Sequence, residues 1–191
     1  FYGNIDVAII EACDVTEDGE IVPTCGVGIT PTICDRADIV IVELNHWHPK
    51  EMRGMHDLTQ LQDPPHREEI GINNVKSRVG KDHVKVDPKK IIVVEGNTPN
   101  DGSAFAPVDE VTAKIGENVA NFFVKEMNEG RMPKTFLPVQ SGVGNIANAV
   151  LAAMGDSKSI PDFEVYTEVI QDAVIGLMES GRVKFASGCY L

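Results

Sequence analysis

Three short runs of apolar, largely β-branched residues most constrain what this chain can fold into: residues 5–12 (IDVAIIEA), 38–44 (DIVIVEL) and 90–95 (KIIVVE). Each is too short for a buried helix and lacks the strict polar alternation of a half-solvated strand. Each therefore reads as a strand buried on both faces. Helical patterns follow them. Thr30-Pro31 reads as an N-cap with proline at the first helical position, opening a short helix to about Ala37. Pro107-Val-Asp-Glu110 opens the longest helix, to about Asn128, with Val111, Ile115, Val119, Phe122, Phe123 and Met127 as its core-facing stripe and Gly130 as its stop. A strand over 135–139, a helix from about Asn145 to Met154, a strand near 163–166, a helix through Ser180 and a strand from Val183 complete the pattern. Strands alternating with helices predict an α/β fold, a mostly parallel sheet with helices on both faces. Ligands in such sheets bind beyond the carboxyl ends of the strands.

Composition narrows the function. The formal net charge is −12 and the pI about 4.8, so a nucleic-acid partner, which needs clustered Lys and Arg, is not expected. No apolar run approaches the length of a membrane span, and no membrane partner is expected. The chain begins at Phe1 rather than Met, with no basic-then-apolar leader to read as a signal peptide. Cys13, Cys25, Cys34 and Cys189 show no C-x-x-C spacing and sit in or beside apolar segments, which predicts buried reduced thiols and a reducing compartment such as the cytoplasm.

The chemistry concentrates late in the chain. Ser141-Gly-Val-Gly-Asn145 is a glycine turn that opens directly into a helix, leaving backbone N–H groups aimed at whatever lies above it. It lacks the third glycine of a dinucleotide fingerprint and the Lys-Ser/Thr of a phosphate loop. Its plain alternative is a strand-to-helix connection that needs glycine for packing alone. Glu168 follows 24 residues beyond Gly144, within YTEVIQD. A carboxylate there is either a first-turn residue favouring a helix dipole or a nucleophile or general base, with Glu164 and Asp172 as alternatives. His46-Trp-His48 and His56 lie in a long irregular segment, 45–86, that contains Pro49, Pro64 and Pro65. Without a third ligand at suitable spacing they read as a surface or pocket-lining loop rather than a metal site. Residues 97–102 (NTPNDG) leave the third strand as a turn-rich loop, either a plain connection or active-site lining.

These residues carry a resemblance. PVQSGVGNIANAVLAAMGD, FEVYTEVIQD and VKFASGCYL, with DVAIIEACDVTEDGEIVPTCGVGITPTICDRADIVIVELN at the front, resemble the acetyl-CoA hydrolase/transferase family of class I CoA-transferases over nearly the whole chain. The resemblance implies NagB/RpiA-like half-domains: residues 1–100 as the end of an N-terminal CoA-transferase domain with its long loop, and 101–191 as the start of a C-terminal one. It implies that Glu168 is the catalytic glutamate, attacking acyl-CoA and passing through an anhydride to a glutamyl-CoA thioester. Gly142, Val143, Gly144, Asn145, Ile146 and Ala147 would supply the backbone that contacts CoA and developing oxyanions. It further implies coenzyme A as substrate, acyl-CoA and small carboxylic acids as partners, no metal, and a homodimer. Family members are longer, so further site residues would lie beyond Leu191. A hydrolase on the same scaffold, or a non-catalytic module binding CoA or a sugar phosphate, stands as the alternative. NHWHPKEMRGMHD has no assigned role.

Overall fold

In the computed structural model, which describes residues 3–99 and 106–190, the chain divides into two compact units: Phe1–Asn73 with Ser77–Gly102, and Asn74–Lys76 with Ser103–Leu191. The first unit is built on a five-stranded sheet in the order β4-β2-β1-β3-β5, from β1 (Ile5–Val15), β2 (Glu20–Pro23), β3 (Ala37–Asn45), β4 (Val84–Lys85) and β5 (Ile91–Gly96). The three apolar runs form the parallel part, β1, β3 and β5, registered Ala8 with Val40 and Ile10 with Val42. Two short antiparallel strands, β2 and β4, extend it to one edge. The sheet is thus mixed, and the parallel expectation holds only for its three long strands.

Burial corrects the reading of these strands as buried on both faces. Ala8, Ile10, Ala12, Val40 and Val42 pack with Ile21, Cys34, Ala37, Val84 and Val86 into one core. The parallel register puts Val7, Ile9, Ile39, Ile92 and Val94 on the other face, and all five are exposed. The helix α1 (Thr30–Arg36) packs Cys34 into the core. Its cap is Ile29, with no side-chain bond, rather than Thr30.

The second unit contains α2 (Glu110–Asn128), α3 (Asn145–Asp156), β6 (Phe163–Val169), α4 (Asp172–Glu179) and β7 (Val183–Tyr190), with β6 and β7 parallel. Asp109 caps α2: its carboxylate accepts from Thr112 N at 2.8 Å, while Asp109 N donates to Thr112 Oγ1 at 2.9 Å. The buried face of α2 is Thr112, Gly116, Ala120 and Met127. The predicted stripe holds in part: Met127 is buried and Phe123 packs against the core, whereas Val111 is 69% and Phe122 55% exposed. The reason is α3, whose backbone at Ala149 lies so close to Gly116 that a Cβ there would stand 2.4 Å from its carbonyl oxygen. Close helix approach selects small residues over large apolar ones.

Residues 135–139 do not form the expected strand. Phe136 has φ of +59°, and its buried ring packs edge-on against Phe123 with centroids 5.5 Å apart. Only Val139 pairs, as a single parallel bridge to Val165 of β6. Arg182 ties the far side together. Its guanidinium donates to the carbonyls of Gly155 (2.9 Å), Ser157 (3.1 Å) and Ile160 (2.8 Å), closing the end of α3 and the loop to β6.

Candidate active site

The end of β6 gathers the residues the sequence singles out. Along the strand, Phe163, Val165 and Thr167 are buried while Tyr166 and Glu168 are exposed, so Glu168 stands on the face opposite Thr167. Its carboxylate makes no hydrogen bond or ion pair among the described residues. Glu164, by contrast, is paired with Lys76 at 3.2 Å, and Asp172 is the first residue of α4. Among the described residues the Glu168 and Asp172 carboxylates both lack a hydrogen bond or ion pair. Asp172, however, sits in the first turn of α4, where a carboxylate favours the helix dipole, whereas Glu168 stands on the strand itself.

The glycine turn is bonded to the same segment. Val139 N donates to Glu164 O and Tyr166 N to Val139 O, laying the chain alongside β6. One step on, Thr167 Oγ1 donates to Ser141 O at 2.9 Å and accepts from Ser141 N at 3.3 Å. Gln171 then spans the turn, with Nε2 donating to Gly142 O at 2.6 Å and Oε1 accepting from Gly144 N at 3.1 Å. Gly144 caps α3 with φ 128° and ψ 174°, backbone that glycine alone adopts readily.

This bonding sorts the predicted loop residues. The amide of Gly144 is taken by Gln171 and that of Ile146 by Asn145 Oδ1 at 3.0 Å. Among the described residues, the amides of Gly142, Val143, Asn145 and Ala147 make no hydrogen bond. A short stretch of main chain therefore offers several open donors at the start of a twelve-residue helix, where the dipole adds positive potential. Sequence reasoning missed Thr167 and Gln171. Their signal was a polar residue at an inward strand position and another just after the strand, and both prove 5% exposed.

The other candidates resolve into structural contacts in the first unit. Buried Asn45 donates from Nδ2 to Glu11 Oε1 (2.6 Å) and to Thr98 O (2.7 Å), and accepts from Thr98 N (3.0 Å). It pins the exit of β5 to the end of β1. His48 Nε2 lies 3.6 Å from Glu11, His46 Nε2 lies 3.8 Å from Glu95, and His56 Nε2 sits 2.8 Å from Pro23 O. The three histidines thus have separate partners, and no group of three or more metal-ligating side chains occurs among the described residues. Cys13, Cys25 and Cys34 are free thiols, and burial pushes the Cys34 thiol up to about 11, well away from a reactive thiolate. The Cys189 side chain and residues 100–102 of the predicted loop lie outside the described residues.

Several known proteins are similar to this chain. The model of the acetyl-CoA hydrolase/transferase N-terminal domain matches residues 1–95. The propanoyl-CoA:succinate CoA transferase of Escherichia coli (strain K12) is 43% identical over 192 residues, covering 100% of this chain and 39% of that protein. The acetyl-CoA hydrolase of Schizosaccharomyces pombe is 44% identical over 184 residues, 96% of this chain and 35% of its own length. Among solved structures, the 4-hydroxybutyrate CoA-transferase of Porphyromonas gingivalis has a TM-score of 0.58 at 19% identity, covering 95% of this chain and 36% of that one. The chain thus spans less than two fifths of the relatives it matches.

Proposed function

Because this chain belongs to the acetyl-CoA hydrolase/transferase family, we propose that the protein carrying it moves CoA between a short-chain acyl-CoA and a carboxylic acid through a thioester on Glu168. The observation that carries this reading is the exposed, unpaired Glu168 carboxylate on the strand to which the glycine turn is bonded. In the first step the Glu168 carboxylate attacks the acyl-CoA carbonyl and expels CoA thiolate, leaving an acyl–glutamyl anhydride. The thiolate then attacks the Glu168 carbonyl of that anhydride and expels the first carboxylate, leaving glutamyl-CoA. An incoming carboxylate runs both steps in reverse and restores free Glu168.

Each addition puts negative charge on a carbonyl oxygen. The open amides of Gly142, Val143, Asn145 and Ala147 are the donors assigned to that charge and to the anionic parts of CoA; losing one such donor typically costs about 3 kcal/mol. In this reading residues 1–100 and 101–191 belong to two NagB/RpiA-like half-domains, the protein assembles as a homodimer, and its free thiols suit the cytoplasm. Hydrolase names among the relatives favour one second reading, in which water replaces the incoming acid at the thioester.

Incubation with acyl-CoA followed by peptide mass analysis tests the proposal. A CoA adduct is expected on Glu168, and Glu168→Gln is expected to lose it and to slow turnover by about a thousandfold or more. Turnover without modification of Glu168 would end the reading. Strict dependence on an added carboxylic acid marks the transferase; steady CoA release in its absence marks the hydrolase.

A further inference from the structure

We propose that Gln171 is a positioning residue of the reaction: its buried carboxamide sets the peptide planes on both sides of Val143 and so aims the open amides of the turn. The inference rests on the reading of Glu168 as nucleophile. The evidence for it is that one planar group makes two opposite bonds, donating to Gly142 O at 2.6 Å and accepting from Gly144 N at 3.1 Å. A carboxamide can do both at once. A carboxylate would face the Gly142 carbonyl with like charge, and the shorter Asn cannot span the same distance.

The need for such a clamp follows from the turn itself. Two glycines surround Val143, and glycine confers no rotational preference, so unaided the segment samples many conformations. Val143 is 56% exposed, so it is not anchored in the core. Thr167 acts in the same way one peptide earlier, with a donated and an accepted bond to Ser141. Residues 167 and 171 bracket Glu168 in sequence, so a single short segment carries the nucleophile and both clamps. The same bonds withdraw the Gly144 amide from substrate, leaving Gly142, Val143 and Asn145 as the donors nearest the clamp.

The test is the rate at which the Glu168–CoA adduct forms, followed by rapid quench and mass analysis in the protein carrying this chain. Gln171→Met keeps the volume and removes both bonds; it is expected to form the same adduct about 10- to 100-fold more slowly, with the acyl-CoA KM within about twofold of wild type. Gln171→Glu supplies a readout that a merely structural role would not move. Once protonated, its carboxyl can donate to Gly142 O and accept from Gly144 N. Its rate relative to wild type should therefore rise as pH falls from about 8 toward about 5, approaching the ordinary glutamate range. A wild-type rate in Gln171→Met, or a Gln171→Glu ratio that is flat with pH, overturns the inference while leaving an adducted Glu168 in place. Absence of the adduct from wild type overturns the nucleophile reading and this inference together. Should Gln171→Met fail to fold, the Gln171→Glu ratio, read within one folded protein, still decides.

Discussion

Gly144 and Gly142 look interchangeable in the sequence, yet the backbone separates them. Gly144 sits at φ 128°, where an L side chain is strained whatever space surrounds it, whereas Gly142 is outside the positive-φ region. Neither would bring an added Cβ within 4 Å of a neighbour, so sterics between side chains play no part. Gly144→Ala is accordingly expected to cost about 1–3 kcal/mol of stability, or to shift the turn to escape that cost, while Gly142→Ala changes stability by less than about 0.5 kcal/mol. Equilibrium denaturation of the pair checks this, and equal midpoints would show that Gly144 does not hold the conformation described. At this scale the sequence announced Glu168 and the glycine turn, because glycine spacing before a helix and an acidic residue on a strand are local patterns. It did not announce Gln171, whose role exists only through bonds to backbone 27 and 29 residues earlier. No local pattern encodes such a contact.

Among the elements, those with unbroken apolar runs were legible and those shaped by their neighbours were not. β3 and β5 lie within one residue of their predicted bounds and β1 runs three residues past its predicted end, whereas β2 and β4, at four and two residues, are too short to carry a periodic signal. The strand expected over 135–139 fails because Phe136 leaves extended geometry to bury its ring between Phe123 and Phe163. In α2 the error lay in part of the face: counting large apolar residues favoured Val111 and Phe122, whereas the first three turns pack through Thr112, Gly116 and Ala120, and large residues pack only further on, at Phe123 and Met127. That packing gives a paired test. In a helix interior Gly→Ala gains about 1 kcal/mol of intrinsic propensity. At Gly116 the new Cβ meets the Ala149 backbone, which cannot rotate aside, so overpacking of about 3 kcal/mol should win and leave Gly116→Ala about 2 kcal/mol less stable. Gly176 in α4 is exposed with nothing within 4 Å, so Gly176→Ala should show the intrinsic gain alone. Opposite shifts in thermal midpoint are the expected result; shifts of the same sign would mean that α2 and α3 are not in close contact.

Across the whole molecule the described core residues fall into clusters confined to one unit or the other. In the first unit a small separate cluster of Cys13, Val22 and Met52 is buried near β2, and the main core lies on one side of the three parallel strands. The sequence hid this because the outward residues of the parallel strands are as apolar as the inward ones: Val7 and Ile9 alternate with Ala8 and Ile10, and composition cannot tell the two rows apart. Only the accessible area does. Ile10 is 8% exposed and Ile9 73%, although they are adjacent and chemically identical. Burial of an isoleucine contributes to stability, and the cavity left by its truncation adds to the loss, so Ile10→Ala should cost about 2–4 kcal/mol. Ile9 loses little apolar burial when truncated, so Ile9→Ala should stay within about 0.5 kcal/mol of wild type. Urea denaturation followed through Trp47, the only tryptophan and a residue of the same unit, reads both variants with one probe. Comparable losses at the two positions would mean that a further layer covers the outer row in solution, and the one-sided core would then be wrong. Losses confined to Ile10 would show that the period-two alternation of a strand, and not its mean hydropathy, determines which residues hold this sheet together.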